Sequence, residues 1–240
     1  NLDRYEDIKE LLDTVEGNIS TLRAKYEEAR KSENVKVVLR PLVKSTLEHL
    51  RSALEYSAQD IWSQYNTKSK KLYFPYGLEE ALFQANVKRN LPNLKTQLPH
   101  VYQLLESIQP FKSGDDWLKQ LCDQTNFNKH NRLTEQVRKN SEGSTTNVGN
   151  LVSMRGGGRV VFDNCSYNGM PLGQGKRAVI SSDMSVEEIE KSIAIPVKVN
   201  REFDWVEFHF DDSAHDTLEL IETSHRNISL YIEELRKLTS

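Results

Sequence analysis

His130 is the side chain in this sequence best suited to moving a proton near neutral pH, and its neighbours are the reason to look at it first. Asn126 lies four residues before it, so the two share a face if the segment is helical, with Lys129 beside them and Arg132 just beyond. Lys129 and Arg132 could hold a phosphate while His130 shuttled a proton, which suits binding or metal-independent cleavage of a nucleic-acid backbone. His49 is the second proton carrier such a reaction would draw on. A plainer role competes. At a helix end, Asn126 and His130 can bond to local carbonyls, and cations belong there because they satisfy the last carbonyls and the helix dipole.

A second group sits in HFDDSAHD, where His209, Asp211, Asp212, His215 and Asp216 place five potential metal ligands within eight residues. Aspartates also gather at helix N-termini, where they cap amides and face the positive end of the dipole. His209 falls on the polar side of an alternating strand pattern. The reading therefore assigns no metal and no cofactor. Arg155-Gly-Gly-Gly-Arg159 has the look of a phosphate loop, but a strand rather than a helix follows it, and a flexible hairpin connection is expected. Lys68, Lys70 and Lys71 beside Tyr65, Tyr73, Phe74 and Tyr76 could bind single strands by charge and stacking, or form a solvated loop before core aromatics. His225, on an apolar stripe, reads as a core histidine. No G-x-S-x-G or comparable nucleophile context is present.

These residues need a scaffold, and the chain has the size for one: 240 residues, 28% charged, net charge -3. That balance excludes a dominant basic tail for nucleic acid or an electrostatic membrane anchor, and no run of about 18 apolar residues exists to span a bilayer. No signal-like segment opens the chain at Asn1, and a cytoplasmic setting is expected. Cys122, on an apolar helix face, reads as a buried free thiol.

Ile8, Leu12, Val15, Ile19, Leu22 and Tyr26 recur at spacings of four and three, the stripe of a long packed helix. Val43, Leu47, Leu50, Leu54 and Ile61 form a second, opened near Pro41, with Arg51 and Glu55 paired on another face. Pro75 and Gly77 mark a loop, residues 78–90 a short helix, and Leu94 to Ile108 another that is interrupted or restarted at Pro99. Asp115 or Asp116 caps the helix that starts at Trp117. From about residue 140 short β-like runs take over, LVSM, RVVF, RAVI, IPVKV and FDWVEFHF, with Asn168-Gly169 as a turn. Ser185 and Glu188 form a capping box, and Ser213 with Asp216 repeat the spacing before a final helix. The expected fold is α+β: one domain over 1–240, with a helical bundle over 1–140, a small antiparallel sheet inserted over 141–212, and a C-terminal helix, 213–240, returning to the bundle.

The order LRSALEY (Leu50 to Tyr56), Phe74-Pro75, Ile108-Gln109-Pro110 and then Asn128-Lys129-His130-Asn131-Arg132 resembles a widespread set of uncharacterised prokaryotic proteins. In those, an LRSALD-like helix precedes an IQPY-like turn and a DKHR-like helix end. The resemblance covers roughly residues 40 to 135. The helical core of that set is similar in outline to HEPN domains, some of which are metal-independent ribonucleases, toxins or defence effectors. Membership would imply an Arg followed four to six residues later by a His. Here the nearest approaches are Arg40 with His49 and Arg201 with His209, so that spacing is absent. The combined expectation is an intracellular HEPN-like binding or interaction protein of a mobile-element or host-defence system. It would form a homo-oligomer or meet a protein partner through helices 3–30 and 213–238, with RNA as a possible ligand and no membrane. The alternative is a ribonuclease that uses His130 with Lys129 and Arg132, together with Asn126 and His49.

Overall fold

The computed structural model describes residues 2–130, 135–210 and 213–239, the side chains of 127–130 excepted. They fall into two compact units, one of residues 1–23, 38–136 and 209–240 and the other of residues 24–37 and 137–208. About 53% of the chain is helical and the strands form several small antiparallel sheets, so the α+β class holds.

The first unit is helical. Helix α1 (Tyr5–Arg30) enters it through the stripe expected of it, with Ile8, Leu12, Val15, Ile19 and Leu22 all buried. Helix α2 (Arg40–Tyr65) opens with Pro41 in its first turn, where the missing N–H costs no helical bond. Short helices α3 (Glu80–Asn90), α4 (Leu94–Gln97), α5 (Pro99–Ser107) and α6 (Pro110–Ser113) follow. The stretch from Leu94 does restart at Pro99. Gly114, at φ +72°, ends α6 in the left-handed conformation that glycine adopts without strain. Helix α7 (Trp117–His130) is capped by Asp115, whose Oδ1 accepts from the Trp117 N–H at 2.9 Å. The last helix, α9 (Thr217–Thr239), packs against α2, α5 and α7.

The core joins Leu47, Leu50, Leu54 and Ile61 of α2, Leu118, Leu121 and Cys122 of α7, and Ile221, Ile228, Ile232 and Leu235 of α9. Each buried aliphatic side chain contributes about 1.5–3 kcal/mol, which is what holds these helices together. Helix α2 is enclosed on more faces than its stripe implies. Thr46, Ser57 and Asp60 are 0% exposed, and each is satisfied internally: Thr46 by the Leu42 carbonyl, Ser57 by that of Leu54 and by Tyr231 Oη, and Asp60 by Arg4 at 2.8 Å.

Helix α9 starts three residues later than the Ser213 spacing suggests. Ser213 Oγ accepts from the His215 N–H two residues on, a local turn, while Asp216 Oδ2 accepts from the Glu219 N–H at 3.1 Å and is the true cap. A carboxylate facing the helix dipole is the stronger acceptor of the two.

The second unit is built on strands β1 (Gln136–Asn140), β2 (Ser144–Val148), β3 (Val152–Arg155), β4 (Arg159–Asp163), β5 (Ser166–Tyr167), β6 (Met170–Pro171), β7 (Arg177–Ser181), β8 (Val199–Phe203) and β9 (Val206–Phe210), with helix α8 (Val186–Ser192) before β8. They do not merge into the single sheet expected. Strands β3-β2-β8 make one antiparallel sheet, while β1 with β9, β4 with β7 and β5 with β6 form separate pairs. The triglycine at 156–158 therefore connects two sheets rather than closing a hairpin. Asn168-Gly169 does turn the β5–β6 hairpin, both residues at positive φ as a type I′ turn requires. The Ser185–Glu188 capping box is present on α8. Val148, Leu172, Ile180, Ile189 and Val199 form this unit's own core. The last turn of α1 belongs here for a clear reason. Arg138 donates to the carbonyls of Ala29, Ser32 and Val35, and so satisfies the open end of that helix.

Candidate functional site

The elements that carry the LRSALEY, FP, IQP and α7 residues meet around one irregular segment, Tyr73–Gly77. Its backbone is held almost entirely by side chains. The Tyr73 N–H donates to Asn90 Oδ1 at 3.0 Å and the Phe74 N–H to Glu55 Oε2 at 2.6 Å. Gln109 Nε2 donates to the Pro75 carbonyl at 3.3 Å, and its Oε1 accepts from the Gly77 N–H at 3.1 Å. Asn86 Nδ2 donates to the Tyr76 carbonyl at 2.7 Å. A buried stretch without helix or sheet must find such partners, because each orphaned group costs as much as a lost hydrogen bond. Gly77 is needed here, since a Cβ at that position would stand 2.5 Å from the Phe83 amide nitrogen.

This clamp fixes Tyr76 above Arg51. The guanidinium carbon lies 5.4 Å from the Tyr76 ring centroid, and Arg51 Nε donates to Glu55 Oε1 at 2.6 Å. The pair read from the sequence is thus formed, but it is enclosed rather than surface-exposed. The two side chains are only 7% and 16% exposed, because α7, α9 and the segment itself cover that side of α2. Arg51 Nη1 is buried and has no hydrogen-bond partner. Burial disfavours the charged guanidinium, but the Cys122 sulfur and the Glu55 carboxylate outweigh it and raise the Arg51 pKa. Burial likewise pushes the Cys122 thiol up to about 12 and raises the Tyr76 hydroxyl, so both are neutral at pH 7. Asn126, exposed on α7, donates to Tyr76 Oη at 3.2 Å and completes the cluster.

Asn126 is therefore the sequence-nominated residue that reaches this site. His130 ends α7 one turn further on, but the side chains of Lys129 and His130, and the whole of Arg132, lie outside the described residues. His49 is half-buried on α2, two residues from Arg51, and residues so spaced do not face one another. Its buried Nδ1 has no hydrogen-bond partner. Tyr76, Glu55 and Gln109 were not nominated as site residues. In the sequence Tyr76 stood out only as a possible stacking aromatic and Glu55 only as the partner of Arg51, and each of the three lies in or beside one of the quoted signature elements.

In the HFDDSAHD run, Asp211 and Asp212 lie outside the described residues. His209 is buried rather than on an open polar face, with Nδ1 3.2 Å from the Ser213 carbonyl, because the end of β9 is enclosed on both sides. His215 Nε2 pairs with Asp116 Oδ1 at 2.8 Å, and Asp216 caps α9. Among the described residues no group of three or more metal-capable side chains comes together. His225 Nε2 meets the Leu12 carbonyl at 3.1 Å, in keeping with a core role.

The Asp116–His215 pair gives the fold a pH dependence. Burial opposes ionisation of Asp116, but hydrogen bonds from Gln120 and His215 and the His215 charge outweigh it and hold the carboxyl below its ordinary range. A carboxyl lowered in the folded state adds stability above its unfolded value, about 3.9, and that contribution disappears as pH falls through the folded value. Urea midpoints of the parent protein should exceed those of Asp116→Asn near pH 6, and the gap should close as pH falls below the ordinary carboxylate range. A gap that persists or widens in acid would contradict this.

Comparison with protein-family models, curated proteins and solved structures found no match to this chain. Among the described residues no helix is long and apolar enough to cross a membrane.

Proposed function

We propose that this chain acts by binding, with a HEPN-like helical core that takes a phosphate-bearing ligand at the Arg51–Tyr76–Asn126 cluster. The observation that carries the reading is Arg51 Nη1, a buried cationic donor without an acceptor. Leaving such a group unsatisfied costs about 1–3 kcal/mol, and its charge favours an anionic ligand docked at Asn126, the exposed member of the cluster. Recruitment of the LRSALEY, FP and IQP residues to one clamp supports the resemblance stated from sequence. Binding is favoured over turnover because the described neutral groups beside Arg51, Cys122 and Tyr76, hold their protons at pH 7 and can donate but not act as bases.

The ribonuclease reading keeps one supporting observation. Asn126, bonded to Tyr76, stands one helical turn before His130. Both readings use Asn126, so calorimetric titration with uridine 5′-diphosphate tests the shared cluster. Saturable binding is expected, weakened about tenfold in Asn126→Ala, as loss of one charge-assisted hydrogen bond implies. No binding heat, or equal affinity in the variant, would overturn the assignment.

A further inference from the structure

We propose that the cleft at the C-terminal end of α2, with Tyr73 next in sequence after its lining residue Leu72, is a second subsite, for single-stranded nucleic acid, in which Trp62 and Tyr73 stack bases and Lys68 and Lys71 hold phosphates. This rests on the phosphate-binding reading above and names its ligand class. The cleft has a volume of about 500 Å³, with Arg4, Gln59, Trp62, Asn66, Lys68 and Lys71 among its lining.

Its aromatic floor is fixed in place. Trp62 Nε1 donates to the Lys68 carbonyl at 2.7 Å, and the Tyr65 ring stands edge-on at 5.4 Å. Lys70 Nζ sits 5.3 Å from the indole centroid and donates to the Arg89 carbonyl at 2.7 Å, so it braces the site against α3 and is not spare for ligand. Tyr73 is 45% exposed while its N–H is held by Asn90, and Lys71 Nζ lies 5.8 Å from its ring centre. An exposed aromatic beside a cation is the unit from which single-strand sites are built.

The charge agrees. Arg4 is paired with Asp60 at 2.8 Å, but among the described residues no carboxylate pairs with Lys68, Lys70 or Lys71. Three uncompensated lysines within four residues, on a chain of net charge -3, make a local positive patch. The cleft also lies on the same strand of backbone as the first site. Leu72 lines the cleft and Tyr76 covers Arg51, four residues apart and so at most about 14 Å along extended chain. One nucleic-acid strand following residues 68–76 would touch both.

The test is a fluorescence titration with a twelve-nucleotide oligouridine across a salt series. Binding should quench tryptophan emission, and the quench should be lost in Trp62→Phe. Affinity should fall about tenfold in Tyr73→Ala. In K68A/K71A the slope of log K against log salt should become shallower by about 1.4, each single-strand phosphate contact being worth about 0.7. An unchanged slope and affinity in K68A/K71A would overturn the subsite while leaving uridine 5′-diphosphate binding, and so the first reading, intact. Binding to phosphatidylserine vesicles with none to oligouridine would overturn it in favour of a membrane surface. Failure of uridine 5′-diphosphate and oligouridine alike would remove both readings.

Discussion

Glu55→Ala should lower the free energy of unfolding by about 3–5 kcal/mol, the range for breaking a buried ion pair by removing one partner. Glu55 has both oxygens committed, one to Arg51 Nε and one to the Phe74 N–H. Truncation leaves the guanidinium uncompensated among apolar groups and frees the clamped segment at its centre, where Phe74 packs edge-on to Tyr231 at 5.8 Å. Glu55→Gln retains an acceptor for Phe74 and should lose less. Arg51→Met in the Glu55→Ala background should recover part of the loss, since no buried charge then remains without a partner. Urea denaturation followed by far-ultraviolet circular dichroism measures all three. A loss near 0.3 kcal/mol for Glu55→Ala, the worth of an exposed i,i+4 pair, would contradict the burial described.

Gln109→Ala should cost about 2–4 kcal/mol, from three hydrogen bonds of about 1 kcal/mol each and a partly collapsed cavity. Its amide is 0% exposed and joins three places, accepting from the Gly77 N–H and donating to the carbonyls of Pro75 and Leu105. Gln109→Glu is nearly the same size, yet it should destabilise at least as much, because a carboxylate would then face two carbonyl oxygens. Melting temperatures for the pair, read at one scan rate, check the order. A Gln109→Glu protein as stable as the parent would show that the amide is not the link between α5 and the segment.

The helices were legible in the sequence because their signals are local. The Ile8-to-Tyr26 stripe, Pro41 at a helix start and the Ser185–Glu188 box each need only a few neighbouring residues to be read. The sheets were less so. Strand β2 pairs with β8, which lies some 50 residues away in sequence, and nothing local sets that register. IPVKV shows the same limit. Ile195 is buried as its apolarity suggests, but Pro196 lacks an N–H for a ladder and the strand begins only at Val199.

The site was half legible. Asn126 was found through its spacing to His130. Arg51 and Glu55 were seen as a pair but placed on a surface, because helical periodicity reports one apolar stripe and cannot show that a helix is covered on its other faces as well. The 0% exposure of Ser57 and Asp60 records that enclosure, and small residues such as Ala53 and Ala58 were its only hint. Tyr76 was named only as a stacking aromatic, and its place over Arg51 was missed because it depends on Asn86 and Gln109, distant side chains that shape the loop around it.

The central claim is that this protein holds a phosphate-bearing strand without cutting it. The most direct measurement is to incubate end-labelled oligouridine at saturating protein and follow both anisotropy and RNA length, with the parent chain and with His130→Ala. The binding reading predicts raised anisotropy and full-length RNA in both. Shortened RNA with the parent chain, restored to full length in a folded His130→Ala protein, would contradict it and establish the ribonuclease instead.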